Sequence, residues 1–132
     1  MRAICVDPVH INEIWPKVSS LIYTAMQRGN LGSFAEVKKE VLAGRNLLWL
    51  AYDGTQIKGA VITALETTEW DKSCVIVACG GRDIQDWIGF LPVIEKFAKD
   101  EGCNRILIFG REGWLRLLPQ FRALRVVLER KL

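Results

Sequence analysis

Ser73-Cys74-Val75-Ile76-Val77-Ala78-Cys79, closed by Gly80-Gly81, and Arg105-Ile106-Leu107-Ile108-Phe109 are the two apolar runs whose relation decides the fold. The first is rich in valine and isoleucine, the composition of a strand, and the glycine pair after it marks an expected stop. The second holds consecutive apolar residues from Ile106 to Phe109, as a strand covered on both faces does. Between them Ile84, Trp87, Ile88, Leu91, Ile94, Phe97 and Ala98 recur at helical spacing and predict an amphipathic helix ending at Gly102. A helix of that length joining two strands is the usual right-handed connection between parallel neighbours. The strands holding Val75 and Ile106 are therefore expected side by side and parallel. Trp87, Leu91, Ile94 and Ala98 are expected on the helix face that covers the sheet.

Working outward, residues 47–52 and 56–65 flank Asp53-Gly54, a dipeptide suited to a tight antiparallel hairpin turn. The polar stretch 67–72 leads from this hairpin into the first apolar run. Residues 2–6 predict a short strand, broken by Asp7-Pro8, which offers a cap and a first-turn proline for a helix. Ile11, Ile14, Trp15, Val18, Leu21, Ile22, Ala25 and Met26 then mark one helical stripe. Pro16 within it predicts a kink or a fresh helix start near Ile14. Ser33 caps a second short helix carrying Phe34, Val37, Val41 and Leu42, closed by Gly44. After Phe109, residues 112–118 predict a short helix and residues 124–132 a last strand with a charged tail. The expected class is α/β (α+β): a mixed, mostly antiparallel sheet of six to seven strands with helices on both faces, in the order β-α-α-β-β-β-α-β-α-β.

The chain has 132 residues, half of them hydrophobic and a quarter charged, which suits one globular domain with one core spanning 1–132. The net charge of +3 is modest. Basic residues outnumber acidic ones after Arg105, but they alternate with Leu, Val and Ile as on a solvated strand, which disfavours nucleic-acid binding. Cys5, Cys74, Cys79 and Cys103 are scattered and His10 is the lone histidine, so neither a zinc set nor a catalytic cysteine is expected. Reduced thiols, the absence of a signal-like start and the lack of any apolar run near the ~20 residues of a membrane span predict a cytoplasmic, non-membrane protein.

The order of elements, together with Lys96-Phe97-Ala98, Glu101-Gly102-Cys103 and Ile106-Leu107-Ile108-Phe109-Gly110-Arg111-Glu112-Gly113-Trp114, resembles the GNAT N-acetyltransferase superfamily, and within it the small phage- and prophage-encoded branch. The resemblance covers essentially the whole chain. It implies that the strand at 74–79 bulges at its end and splays from its parallel neighbour, with acetyl-CoA or another acyl-CoA in the cleft near Val77, Cys79, Gly80, Gly81 and Arg82. It also implies a pyrophosphate loop of the Arg-Gly-x-Gly-x-Gly kind opening the helix. Here that loop maps to Arg82-Asp83-Ile84-Gln85-Asp86-Trp87, where Asp83, Gln85 and Trp87 stand at the glycine positions. Side chains there obstruct the approach of phosphates to the backbone, and Asp83 adds a negative charge and competes for the helix amides.

Many relatives use a tyrosine on the short last helix as general acid. The matching stretch 115–121 has none, since Tyr23 and Tyr52 both lie in the N-terminal half. Glu66 and Glu69, near the strands of the cleft, are the candidate general bases. Cys79 also reads as a small buried hydrophobe, and Glu66 and Glu69 as solvated strand-end charges. Arg111 and Trp114 read as a strand-end donor and a buried ring as readily as a ligand wall. Two functions stay open: an acyl-CoA-dependent N-acyltransferase acting on an unknown amine with an atypical cofactor loop, or a catalytically silent, phage-associated scaffold that binds no cofactor and works through a protein partner. Homo-oligomerisation is compatible with either.

Overall fold

The computed structural model describes residues 2–29, 32–81, 88–89, 91–109 and 113–132. Five strands form one sheet in sequence order: β1 (Arg2–Cys5), β2 (Asn46–Tyr52), β3 (Ile57–Thr67), β4 (Lys72–Gly81) and β5 (Arg105–Ile108). The pairs β1–β2, β2–β3 and β3–β4 are antiparallel, and β4–β5 is parallel. The expected relation of the strands at Val75 and Ile106 is thus observed, with Val75 opposite Leu107 and Cys74 opposite Ile106.

Two helices, α1 (Ile11–Gly29) and α2 (Phe34–Leu42), cover one face of the sheet, and α3 (Leu91–Asp100) the other. On the first face Ile11, Trp15, Val18 and Ile22 of α1 meet Leu48, Leu50, Ala60, Ile62 and Ala78. On the second, Leu91, Ile94 and Ala98 of α3 meet Trp49, Val61, Cys74 and Ile76. Trp49 keeps its indole nitrogen satisfied there by donating to Thr63 Oγ1 at 2.9 Å, and its ring meets that of Phe97 edge-on at 5.3 Å. A short helix, α4 (Trp114–Leu117), follows β5.

Several expectations are corrected. α1 is one helix from Ile11 through Pro16 and not a fresh start near Ile14, and a short 3-10 turn, Pro8–His10 capped by Asp7, precedes it. The proline costs about 3 kcal/mol in a helix interior, whereas burying Ile11, Trp15, Val18 and Ile22 at roughly 1.5–3 kcal/mol each more than offsets it. Residues 124–132 form no strand, so the sheet has five strands among the described residues rather than six or seven. β4 does not stop at Gly80-Gly81 but continues through both, pairing them with Ala60 and Gly59. The predicted burial of Trp87 and the loop 82–87 lie outside the described residues.

The β2–β3 connection is a four-residue loop, not a two-residue turn. Asp53 Oδ1 accepts from the amides of Gln56 at 2.7 Å and Thr55 at 2.8 Å and from the Thr55 hydroxyl at 2.9 Å, while Gly54 takes a φ of 102°. The Gln56 and Thr55 amides, then the Thr55 hydroxyl, stabilise the charged carboxylate and lower its pKa from 3.8 to about 2. Because the folded value lies below the unfolded one, this contribution is present above about pH 4 and is lost as pH falls through 2. Asp53→Ala should therefore lower the melting temperature at pH 7, and the gap to the parent should close between pH 4 and pH 2. A gap of constant size across that window would show that the carboxylate charge plays no part.

Candidate functional site: a cleft between parting parallel strands

β4 is anchored to β5 at one end and leaves it at the other. At the anchored end Arg105 Nε donates to Ser73 Oγ at 3.1 Å and lies 3.5 Å from the Asp71 carboxylate. Lys72 Nζ donates to the Glu101 carbonyl at 2.6 Å, and the backbone amide of Asn104 donates to the Lys72 carbonyl. The parallel ladder then runs for four pairs and ends at Ile76 opposite Ile108.

At that point β4 changes phase. Ile62 pairs with Ala78 but Thr63 pairs with Ile76, so Val77 is an extra residue in β4. Such a bulge leaves the extra residue without a ladder partner and bends the strand. Before it, Cys74 and Ile76 face α3; after it, Val77 and Ala78 pack toward α1 and Cys79 packs toward α3. From Val77 to Gly81, β4 keeps β3 on one side and has no strand on the other among the described residues. Phe109, one residue beyond the last β4–β5 pair, is 66% exposed, and Trp114 of α4 is half-buried against the α3-side core. The apolar run 105–109 places Phe109 in the strand; its exposure depends on where the ladder stops, which the local sequence does not encode.

Val77, Cys79, Gly80 and Gly81 are thus brought together on the parted segment of β4. Arg82 lies outside the described residues. Gly80 has a structural reason of its own: a Cβ at this position would stand 2.5 Å from the Leu21 carbonyl oxygen and 3.0 Å from its carbon, so α1 crosses β4 here at backbone contact. The Cys79 thiol is half-buried, and burial pushes its pKa far above the ordinary thiol range. It is protonated at neutral pH and is not a nucleophile. Burial, with Cys103 nearby, likewise pushes Cys74 up to about 11.

Glu66 and Glu69 are not brought to this cleft. Glu66 pairs with Ser73, four residues before the bulge and about 13 Å from it along the strand. Glu69 sits in the exposed β3–β4 turn, which is closed by the Thr68 amide donating to the Asp71 carbonyl at 2.7 Å. Chain proximity suggested the cleft for them, but the antiparallel pairing carries that turn to the opposite end of β4. Among the described residues no cluster of His, Cys, Asp and Glu could hold a metal ion, and no helix is long and apolar enough to cross a membrane.

This architecture superposes on several solved structures. A probable acetyltransferase superposes over the whole chain and 97% of its own length with a TM-score of 0.72 at 11% identity. A ribosomal-protein-alanine N-acetyltransferase from Brucella melitensis gives 0.68 at 9% identity, over 100% of this chain and 99% of that one. A predicted acetyltransferase with acetyl-CoA from Clostridium acetobutylicum gives 0.66 at 14% identity, over 98% and 95%. The chain has the GNAT fold. No protein-family model and no curated protein matches the sequence. The GNAT likeness is therefore one of architecture.

Proposed function

We propose that the cleft between β4 and β5 receives the acyl-pantetheine arm of an acyl-CoA and that the chain transfers the acyl group to an amine. The observation that carries this reading is the coincidence of the Val77 bulge with the end of the β4–β5 ladder. It leaves a length of backbone donors and acceptors facing an open edge, and an extended amide-bearing chain can add to such an edge as a strand would. Where the bulge frees a backbone N–H, that donor can polarise a thioester carbonyl. The amine nitrogen then attacks the carbonyl carbon, the C–S bond breaks, and the CoA thiolate leaves with the proton the nitrogen gives up. The protonated Cys79 thiol favours this direct transfer over an acyl-cysteine step. With Glu66 and Glu69 at the far end of β4, the amine is taken to arrive as its free base.

Cofactor affinity should be low. Residues 82–87 lie outside the described residues, but their sequence puts Asp83, Gln85 and Trp87 where glycines would expose amides to the pyrophosphate. Losing two or three charge-assisted hydrogen bonds at ~1.5–3 kcal/mol each moves a micromolar site to millimolar or weaker. Titration calorimetry with acetyl-CoA should thus show a millimolar constant, and replacing Asp83, Gln85 and Trp87 together by glycine should tighten it. A micromolar constant in the parent would mean that the loop binds pyrophosphate despite its side chains. A folded triple variant that ignores acetyl-CoA would sink the acyltransferase reading. The alternative is then a silent GNAT-fold scaffold acting through a protein partner, which the lack of a tyrosine in Trp114–Leu117 also favours.

A further inference from the structure

We propose that the flank of α1 beside the cleft is a track for an acidic peptide, and that such a peptide bears the amine to be acylated, which rests on the acyl transfer proposed for the same cleft. Lys17, Leu21, Thr24 and Arg28 stand at i, i+4, i+7 and i+11 and share one stripe of the helix. The opposite flank is already occupied, because Tyr23 and Trp15 meet the ring of Phe34 of α2 at 5.3 and 5.7 Å. Leu21 is turned about 200° from Tyr23, away from α2. Its backbone carbonyl lies over Gly80 of β4, so the stripe overhangs the part of β4 that has left β5.

The direction of α1 sets where its charges fall along the cleft. The turn before α1 sits at the start of β2: a Cβ on Gly44 would stand 3.7 Å from Pro8, and the Val6 amide donates to the Leu48 carbonyl, in the row that Leu48 shares with Ile62 and Ala78. By Leu21 the helix has reached the row of Gly80, so it runs the way β4 runs. Lys17 stands about 6 Å before that crossing, toward the Val77 bulge, and Arg28 about 10 Å past it, beyond the end of β4. Both are exposed, and neither has an ion pair or hydrogen bond among the described residues. Glu13, the one carboxylate of α1, lies 3.8 Å from His10.

This side of the cleft is the open one. Ile106 and Ile108 of β5 pack with α3, Trp114 and Leu118 on the other face, so strand alternation turns Leu107 and Phe109 to the α1 side, where Phe109 is 66% exposed. A molecule lying between the α1 stripe and Phe109 has the free edge of β4 for a floor. The spacing of the two cations selects its class. Roughly three helical turns separate them, about 16 Å, the length of roughly five residues of extended chain. A single amino acid or small diacid cannot touch both. A peptide with acidic side chains that far apart can, and a lysine next to the one held by Lys17 comes beside the bulge.

The test uses the full chain and short fluorescein-labelled peptides with one lysine flanked by aspartates or by asparagines. Fluorescence anisotropy reads binding, and mass spectrometry reads acetylation at millimolar acetyl-CoA. The aspartate peptide should bind about tenfold tighter at low salt, with the gap narrowing as salt is raised, and should be the better acceptor. Lys17→Glu with Arg28→Glu, both at exposed positions, should erase the preference and leave the melting temperature unchanged. Equal binding of the two peptides overturns the proposal. So does a preference that survives the reversal, which would belong to another basic surface such as residues 122–131. The acyl-transfer reading fails separately: a preference lost on the reversal, with neither peptide acetylated, keeps the acidic track and removes the reaction. Equal acetylation of both peptides keeps the reaction and overturns the track.

Discussion

Gly80→Ala should destabilise the protein by about 3 kcal/mol and lower its melting temperature by on the order of 10 °C. The added Cβ would meet the backbone of Leu21, 2.5 Å from its carbonyl oxygen, so no rotamer change can relieve the clash. Either α1 moves away from β4 or the strand bends, and both disturb the core formed by Val18, Ile22, Ile62 and Ala78. Gly113→Ala is the control, because a Cβ there meets nothing within 4 Å and the backbone φ of −55° suits any residue. Thermal unfolding of both variants decides the matter. If Gly80→Ala melted with the parent but lost acyl-CoA binding, the glycine would be serving the ligand and not the helix crossing.

Trp49→Ala should be costlier still, at about 5 kcal/mol in denaturant unfolding. The ring is 5% exposed, and truncating a buried tryptophan costs ~3–5 kcal/mol through lost burial and the cavity left behind. The same change strips the buried Thr63 hydroxyl of its indole donor, adding about 1–3 kcal/mol. Against a total stability of roughly 5–15 kcal/mol, this brings the variant close to unfolding at room temperature. Trp49→Phe separates the parts: it keeps most of the contact with Phe97, loses the hydrogen bond and should cost about 1–2 kcal/mol. Thr63→Val should then be nearly neutral in the phenylalanine background although harmful alone. If Thr63→Val cost the same in both backgrounds, the hydrogen bond would contribute nothing beyond the packing.

What could be read in advance was whatever local chemistry dictates. The valine-rich run at 73–79, the amphipathic spacing through Leu91, Ile94 and Ala98, and the apolar stretch from Ile106 were enough for a parallel pair joined by a crossover helix, and the structure has it. Ser33 caps α2 as its side chain and position predict, accepting from the Glu36 amide at 3.2 Å. What escaped depends on partners distant in sequence. Gly80 reads locally as a stop, but its reason is the backbone of Leu21 on another element. The Val77 bulge has no glycine or proline to announce it and exists only as a register between β3 and β4. Glu66 and Glu69 looked close to the cleft because they precede β4, yet antiparallel pairing takes them to its far end. Residues 124–132 have a strand's alternation, but a strand also needs a neighbour to hydrogen-bond with, and within the described residues there is none.

The phase change within β4 also bears on how the protein can vary across generations. Residues 72–76 are held between two strands, so a substitution there must suit β3, β5 and both covering layers together. Past Val77 the strand has β3 alone for a neighbour among the described residues, so a change there leaves the β4–β5 ladder untouched and must suit β3 and the covering layers, the Leu21 backbone over Gly80 among them. A single-codon deletion at 77 would make the β3–β4 ladder continuous, with Ala78 staying on the α1 side opposite Ile62 and Cys79 on the α3 side opposite Val61. One strand thus holds a half that answers to two neighbouring strands and a half that answers to one, and the boundary between them is a single residue.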